Sequence, residues 1–118
     1  MRKLNFERTV WADRQLAKLC PGNDIKRFSE LMSTDDFVTQ MDTLMKVIQI
    51  MNEGYERKAA FLDPNHQKDV ITIEELENLT EEELIELSNL AFENFTKDAE
   101  QMVNVEPSKK KESKEESQ

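Results

Sequence analysis

The sequence predicts an all-α protein: a small helical domain of about five helices around one central apolar helix, followed by a disordered C-terminal tail. Three observations support this prediction. The 118-residue chain contains only two glycines and three prolines, and it has few runs that alternate like strands. A segment in its middle repeats apolar residues at helical spacing, and its last fifteen residues are almost free of apolar side chains. We place the helical domain at residues 1–103 and the tail at residues 104–118.

The predicted central helix extends from Ser33 to about Phe61. Its apolar residues follow one another at steps of three and four, which puts them on one face: Phe37, Met41, Leu44, Ile48, Met51 and Tyr55. Further apolar residues widen this face, so the helix must be covered on most sides by its own chain or by another. We expect Ser33 or Thr34 to cap its start, and a bend or stop at Gly54, with a continuation through Tyr55 to Phe61 as the alternative.

Two shorter helices are predicted before the central one. Asn5 is placed to cap a first helix over about residues 6–20, which Pro21–Gly22 would end. We expect its partly covered side chains to be Val10, Trp11, Ala17, Leu19 and Cys20. Asp24 is expected to cap a second, short helix. The residues that share a face of this helix are Ile25, Phe28, Leu31 and Met32.

Two capping boxes predict two helix starts after the central helix. Thr72 with Glu75, and Thr80 with Glu83, have the spacing at which each side chain binds the other residue's free backbone amide. The first of these helices is short and ends near residue 78, whereas the second runs from residue 81 towards residue 102. The apolar face of the second helix contains Leu84, Leu87, Leu90, Ala91, Phe95, Ala99 and Met102. Its outer face is strongly acidic.

The link after the central helix resembles a calcium-binding loop in spacing. Its oxygen-bearing side chains fall at loop positions one, three, five, seven and twelve: Asp63, Asn65, Gln67, Asp69 and Glu74. However, Lys68 stands where such a loop needs glycine, so we interpret the link as an Asp-Pro-Asn turn with His66 exposed. His66 is the only histidine, and we expect the only cysteine, Cys20, to be buried and unreactive. The sequence thus predicts no metal, cofactor or catalytic site and no enzyme.

The charges are unevenly distributed along the chain, whose formal net charge is −9. Residues 1–34 have a balance of +3, residues 35–103 have a balance of −12, and the tail is neutral. Most of these charges are expected on a solvated face, but ends of opposite sign also favour contacts between copies. A head-to-tail contact would build a ring or a helical filament. The acidic balance, together with the lack of a known nucleic-acid motif, argues against nucleic acid as a partner.

Membrane insertion and secretion are not predicted. The chain has no apolar run of the roughly 18 residues that a membrane-spanning helix needs. Its first residues lack the apolar block of a secretion signal, and a lone cysteine agrees with a reducing compartment. We therefore expect a cytoplasmic protein.

The surplus of apolar residues on the central helix indicates a surface that accepts another helix. Methionine side chains adapt to varied partners, and a groove between helices is a common binding site for an amphipathic helix. We expect the core and one wall of such a groove to be built from Met41, Leu44, Met45, Ile48, Met51, Leu84, Leu87, Ala91 and Phe95. The sequence does not separate residues that line the groove from residues that are simply buried.

Four features of the chain occur together: the start RKLNFERTV, a compact helical body, the segment VITIEELENLTEEELIELSNLAFENF, and a charged Lys/Glu tail. In this combination the chain resembles the small tail assembly chaperones of long-tailed (siphovirus-type) bacteriophages of Gram-positive hosts. The nearest likeness is to the tape measure protein chaperones of lactococcal siphophages.

The resemblance implies a non-enzymatic, non-structural protein of virion assembly. Such chaperones bind and solubilise the long, helical tape measure protein before the tail tube polymerises around it. They self-associate, act in the host cell cytoplasm and are absent from the mature virion. Their genes often contain a translational slip near the end, which would fit Lys109, Lys110 and Lys111. The alternative is a small acidic regulator that neutralises a basic partner, such as a toxin or DNA-binding protein, through its face over residues 81–100.

Overall fold

The computed structural model describes residues 3–105, with side chains described for residues 3–93. Within this part of the chain there are five α-helices and no strand, which confirms the predicted all-α class. The helices are α1 (Val10–Leu19), α2 (Phe28–Leu31), α3 (Phe37–Leu62), α4 (Ile73–Glu77) and α5 (Glu81–Val105). Two short 3-10 turns, Pro21–Asn23 and Ile25–Arg27, connect α1 to α2. Helix α5 includes residues 104 and 105, and the rest of the predicted tail lies outside the described residues.

Helix α3 is the central helix of the domain, as its apolar face predicted. It packs against α1, α4 and α5. The buried cluster around it contains Phe6, Leu16, Leu44, Met45, Val47, Ile48, Met51, Ile71, Leu76, Leu84, Leu87 and Ala91. Ile48 and Met51 are both 0% exposed. The chain therefore covers the middle of this face of α3 with its own residues, and the burial of this apolar surface is the main contribution to folding.

The start of α3 differs from the prediction, since Asp36 rather than Ser33 or Thr34 caps it. The Asp36 carboxylate accepts the backbone N–H of Thr39 at 3.0 Å. Hydrogen bonds from the Thr39 hydroxyl and backbone N–H lower the pKa of Asp36. A carboxylate is also favoured over a hydroxyl at this position by the positive end of the helix dipole.

Gly54 does not end α3, so the prediction that the helix stops at this residue was wrong. The helix continues to Leu62. A Cβ atom at Gly54 would lie 2.5 Å from the Glu7 carbonyl oxygen. The Glu7 backbone N–H donates to the Met51 carbonyl at 3.0 Å, so the chain before α1 lies directly on this turn of the helix. Glycine is required here because the two backbones approach closely.

The first helix begins later than predicted, because Thr9 and not Asn5 is its cap. The Thr9 hydroxyl accepts the Ala12 backbone N–H at 3.1 Å. Residues 3–9, which we call the N-terminal arm, are not helical. Val10 was expected to be partly covered, but it is 77% exposed, because the helix starts at this residue and turns it outward. Phe6 of the arm is buried in the core.

The link between α1 and α2 follows the prediction. Pro21–Gly22 end α1, and Gly22 has a φ of 66°, in the left-handed region that glycine adopts at low cost. Asp24 caps the next turn by accepting the Lys26 backbone N–H at 3.0 Å. This turn is a 3-10 helix that leads directly into α2. Phe28 of α2 then contacts Phe92 of α5 edge to face, with ring centroids 6.0 Å apart.

Both predicted capping boxes are confirmed. The Thr72 hydroxyl accepts the Glu75 backbone N–H at 3.1 Å, and the Glu75 carboxylate accepts the Thr72 backbone N–H at 3.0 Å. Thr80 and Glu83 make the same pair of bonds at 3.1 and 2.9 Å. These local patterns fix the starts of α4 and α5 at the predicted residues.

The link between α3 and α4 contains the predicted turn, but His66 is not exposed as expected. The His66 backbone N–H donates to the Asp63 carbonyl at 2.9 Å, which closes the turn. Its side chain is partly buried, and Nε2 lies 2.8 Å from Oε1 of the buried Glu56. The same carboxylate oxygen accepts the backbone N–H of Asp69 at 3.0 Å.

Two further polar residues of α3 hold this link against the helix. The Ile71 backbone N–H donates to Oδ1 of Asn52 at 2.8 Å, and Nε2 of Gln49 donates to the Ile71 carbonyl at 3.0 Å. Nδ2 of Asn52 donates to the Asn5 carbonyl in the arm at 2.9 Å. Asn52 is buried, and its bond to the backbone N–H of Ile71 satisfies a buried donor. One buried side chain thereby connects the arm, α3 and the link.

Candidate partner-binding cleft

The residues predicted for the core and a groove wall belong to the core in the folded chain. Seven of the nine are buried: Leu44, Met45, Ile48, Met51, Leu84, Leu87 and Ala91. Met41 is partly buried against them, and Phe95 lies outside the residues whose side chains are described. The eight residues of this set whose side chains are described pack together in the core. Of these eight, only Leu87 also lines the surface cleft that lies beside the core.

That cleft is an open hollow of about 600 Å³ between the N-terminal arm and the first part of α5. Its apolar lining consists of Leu4 and Phe6 from the arm, Tyr55 from α3, and Leu87 and Leu90 from α5. Phe6 and Leu87 are buried and form its floor, whereas Leu90 is 50% exposed at its edge. The volume lies within the range of ligand-binding pockets and is large enough for a few apolar side chains.

The spacing of residues on α5 explains its side of the cleft. Leu87 and Leu90 are three positions apart, and Glu83, Glu86 and Glu93 fall at the neighbouring positions of the same face. The capping box holds the first turn of this helix in place. The cleft therefore has a leucine pair bordered by carboxylates on one rigid element.

The opposite wall is the arm, which several contacts fix on α3. Phe6 is buried in the core, and the Glu7 backbone N–H is bound to the Met51 carbonyl. The Glu7 carboxylate accepts a hydrogen bond from Nζ of Lys58 at 2.8 Å. The Asn5 carbonyl accepts from Asn52. These contacts arrange the wall before any partner arrives, which reduces the ordering cost of binding.

The rim of the cleft is acidic. Glu7, Glu83, Glu86 and Glu93 line it, against a single base, Lys3. Glu7 is paired with Lys58, and Glu83 belongs to the capping box. Among the residues that the structure describes, Glu86 and Glu93 are exposed and make no ion pair. Because carboxylates outnumber the one base in this lining, the local field favours cationic groups.

Two other apolar pairs lie on the surface, at opposite ends of α3. Phe37 and Val38 are exposed in its first turn, and Phe61 and Leu62 are exposed in its last turn. The first pair follows the acidic cap Asp36. Helix geometry separates the two pairs by roughly 36 Å. Each is a pair of neighbouring exposed residues, and the length of α3 separates one pair from the other.

The sequence raised two further kinds of site, a metal site in the link after α3 and a nucleophile at Cys20. In the described part of the chain, no group of three or more His, Cys, Asp and Glu side chains is arranged to hold a metal ion. Cys20 is buried as predicted, and its Sγ donates to the Leu16 carbonyl at 3.3 Å. Burial and, secondarily, the nearby Asp24 carboxylate raise the pKa of the Cys20 thiol. A raised pKa keeps the thiolate, which is the reactive form, a minor species.

The sequence hypothesis missed most of this cleft. Leu4 and Phe6 were assigned to the start of a helix or left out, and Tyr55 was read only as part of the apolar stripe of α3. A sequence signal did exist, since Thr9 is a preferred N-cap residue and Asp13 would lie in the first turn of the helix that it starts. That reading would have left Leu4 and Phe6 in a separate, non-helical segment.

Comparisons of the chain with protein-family models, curated proteins and solved structures find no match. None of the helices in residues 3–105 is both long and apolar enough to cross a membrane. An apolar floor with an acidic rim is suited chemically to a segment that presents apolar and cationic side chains together.

Proposed function

We propose that this protein is a non-enzymatic tail assembly chaperone of a long-tailed bacteriophage. In this proposal it binds helical segments of the tape measure protein and keeps them soluble until the tail tube polymerises. The single observation on which the proposal depends is the open apolar cleft between the N-terminal arm and α5. The resemblance in the start of the chain, the segment over residues 70–95 and the charged tail supplies the identity of the guest.

The cleft fits the physical task of such a chaperone. A tape measure protein exposes apolar helix faces before the tube covers them, and exposed apolar patches of this kind lead to aggregation. A chaperone must cover these faces while its own exterior stays charged, and here 35% of all residues are charged. A hollow of about 600 Å³ holds a few side chains, so one copy covers a short stretch of the guest. Many copies are then needed along one guest.

Self-association is part of the proposal. The apolar pairs Phe37–Val38 and Phe61–Leu62 lie at the two ends of α3, so one end of a copy is able to contact the other end of the next. A heterologous contact of this kind generates a ring or a helical filament. Such an array would repeat the cleft at regular intervals along the guest. We place this assembly in the host cell cytoplasm and not in the mature virion.

Replacing Leu90 with Glu is expected to reduce recovery of the co-expressed tape measure protein by about tenfold. Leu90 is half exposed at the cleft edge, so burial of its remaining surface against a guest side chain contributes roughly half of the 1.5–3 kcal/mol of a fully buried leucine, about 1 kcal/mol. The measurement is the amount of soluble guest that co-purifies with the chain from cells that express both. Ile85→Glu is the matched control, because Ile85 is an exposed apolar residue of α5 that does not line the cleft.

Two results of this experiment would contradict the proposal. One is a guest that is equally soluble without the chain and forms no complex with it. The other is an equal loss of guest recovery in Leu90→Glu and Ile85→Glu, since the cleft would then have no specific part in capture.

The acidic rim favours a second candidate, a small regulator that neutralises a basic partner. Binding led by the carboxylates of Glu83, Glu86 and Glu93 would weaken steeply as salt is added. Binding led by Leu4, Tyr55 and Leu90 would persist in salt. The gene neighbourhood also separates the two: a tail tube gene upstream and a gene for a long helical protein downstream favour the chaperone, whereas a toxin gene or an operator favours the regulator.

A further inference from the structure

We infer that the cleft selects basic amphipathic helices, in which Lys or Arg side chains flank the apolar residues that enter the hollow. The inference rests on the proposed function and adds the charge chemistry of the bound segment. Its occupant is a helix of another protein, identified by charge complementarity to the rim.

The carboxylates on α5 define the expected positions of these cations. Glu86 and Glu93 are seven positions apart, which is about 10 Å along the helix axis, and Leu87 and Leu90 lie between them. A guest helix that runs alongside α5 would meet this surface with two cations about seven residues apart. In the guest helix, the residues three and four positions after the first cation lie on the same face, so these would be the apolar residues that enter the hollow. The structure thus specifies a spacing as well as a charge.

Glu86 and Glu93 are the carboxylates of the rim that make no hydrogen bond or ion pair with another residue whose side chain is described. Glu7 is already bound to Lys58, and Glu83 accepts the Thr80 backbone N–H in the capping box. Within the described residues, Glu86 and Glu93 have no such partner and remain solvated at the edge of the hollow. Charges at the edge of an apolar contact set specificity and association rate more than total affinity. A guest helix with acidic flanks would place like charges beside Glu86 and Glu93, which disfavours its binding.

Peptides with the same apolar face and opposite flanking charges test the inference. Two synthetic helices of about 18 residues would share leucines at the spacing described and have either Lys or Glu at the flanking positions. We expect the Lys peptide to bind the full-length chain about tenfold more tightly, measured by fluorescence anisotropy at low salt. In the variant Glu86→Lys/Glu93→Lys this preference is expected to reverse.

A charge-matched variant on another helix is the control. Glu74→Lys/Glu77→Lys changes two exposed carboxylates of α4 that do not line the cleft, and it alters the net charge of the chain equally. It is expected to keep the preference for the Lys peptide. Circular dichroism on both variants verifies that each remains helical.

Each contrary outcome overturns the inference. These outcomes are equal binding of the two peptides, no binding of either, an unchanged preference in Glu86→Lys/Glu93→Lys, and a reversal in the α4 control as well. Capture of the whole tape measure protein on co-expression reports the proposed function separately. If capture continues while the peptides show no charge preference, the inference fails and the proposed function stands. If the Lys peptide is preferred but the tape measure protein is not captured, the proposed function fails alone.

Discussion

Ile48→Ala is expected to lower the free energy of unfolding by about 2–5 kcal/mol. Ile48 is 0% exposed in the middle of α3 and belongs to the cluster that the chain packs around this helix. Alanine would remove the apolar contacts of three carbon atoms and leave a cavity that neighbouring side chains fill only in part. Urea denaturation followed by circular dichroism measures the change.

The control for this prediction is Lys46→Ala, on the same helix. Lys46 is exposed and belongs to neither the core nor an apolar pair, so its truncation is expected to change the free energy of unfolding by less than about 0.5 kcal/mol. If Ile48→Ala instead left the free energy of unfolding unchanged and weakened guest capture, Ile48 would line a partner groove, which is one of the two roles that the sequence left open for it.

Gly54→Ala is expected to lower the free energy of unfolding by about 1–3 kcal/mol, even though alanine is the better helix former by about 1 kcal/mol. The new methyl group would lie 2.5 Å from the Glu7 carbonyl oxygen, and this oxygen is a backbone atom that no side-chain rotation moves away. The arm must shift, which weakens the bond between the Glu7 backbone N–H and the Met51 carbonyl. Because the arm is one wall of the cleft, guest recovery is expected to fall too.

Asp42→Ala is the matched control for Gly54→Ala. Asp42 is an exposed residue of α3, so alanine there changes an exposed helix position without a steric conflict. Its effect on stability is expected to stay within about 0.5 kcal/mol. If Gly54→Ala instead stabilised the protein, as alanine does at an unobstructed helix position, the close approach of the arm to α3 would be refuted.

Local sequence patterns predicted much of the fold. The hydrogen bonds of the capping boxes at Thr72 and Thr80 join residues only three positions apart, so both helix starts can be predicted without tertiary structure. The apolar stripe of α3 predicted the central helix for the same reason. Gly54 was misread because its role depends on Glu7, which is 47 positions away in the chain. A glycine inside a helix has the same local signature whether it marks a bend or a close contact.

The candidate site was harder to predict, because it depends on which apolar residues the folded chain leaves uncovered. The sequence could not decide whether residues such as Leu44, Met45 and Ile48 belong to the core or line a groove. All three are buried, which shows that α1, α4 and α5 suffice to cover them. Asn52 joins the arm and the link to α3, and its hydrogen bonds run between segments far apart in sequence. No local pattern contains that information. The cleft exists because the arm is non-helical and held in place there.

Hydrogen–deuterium exchange of the chain, free and in complex with the tape measure protein, tests most directly whether the cleft is the guest-binding surface. We expect the complex to slow exchange of backbone amides in residues 3–9 and 83–93, the two walls of the cleft. A complex that forms without added protection in these segments, and with protection only near residues 37–38 and 61–62, would contradict the account.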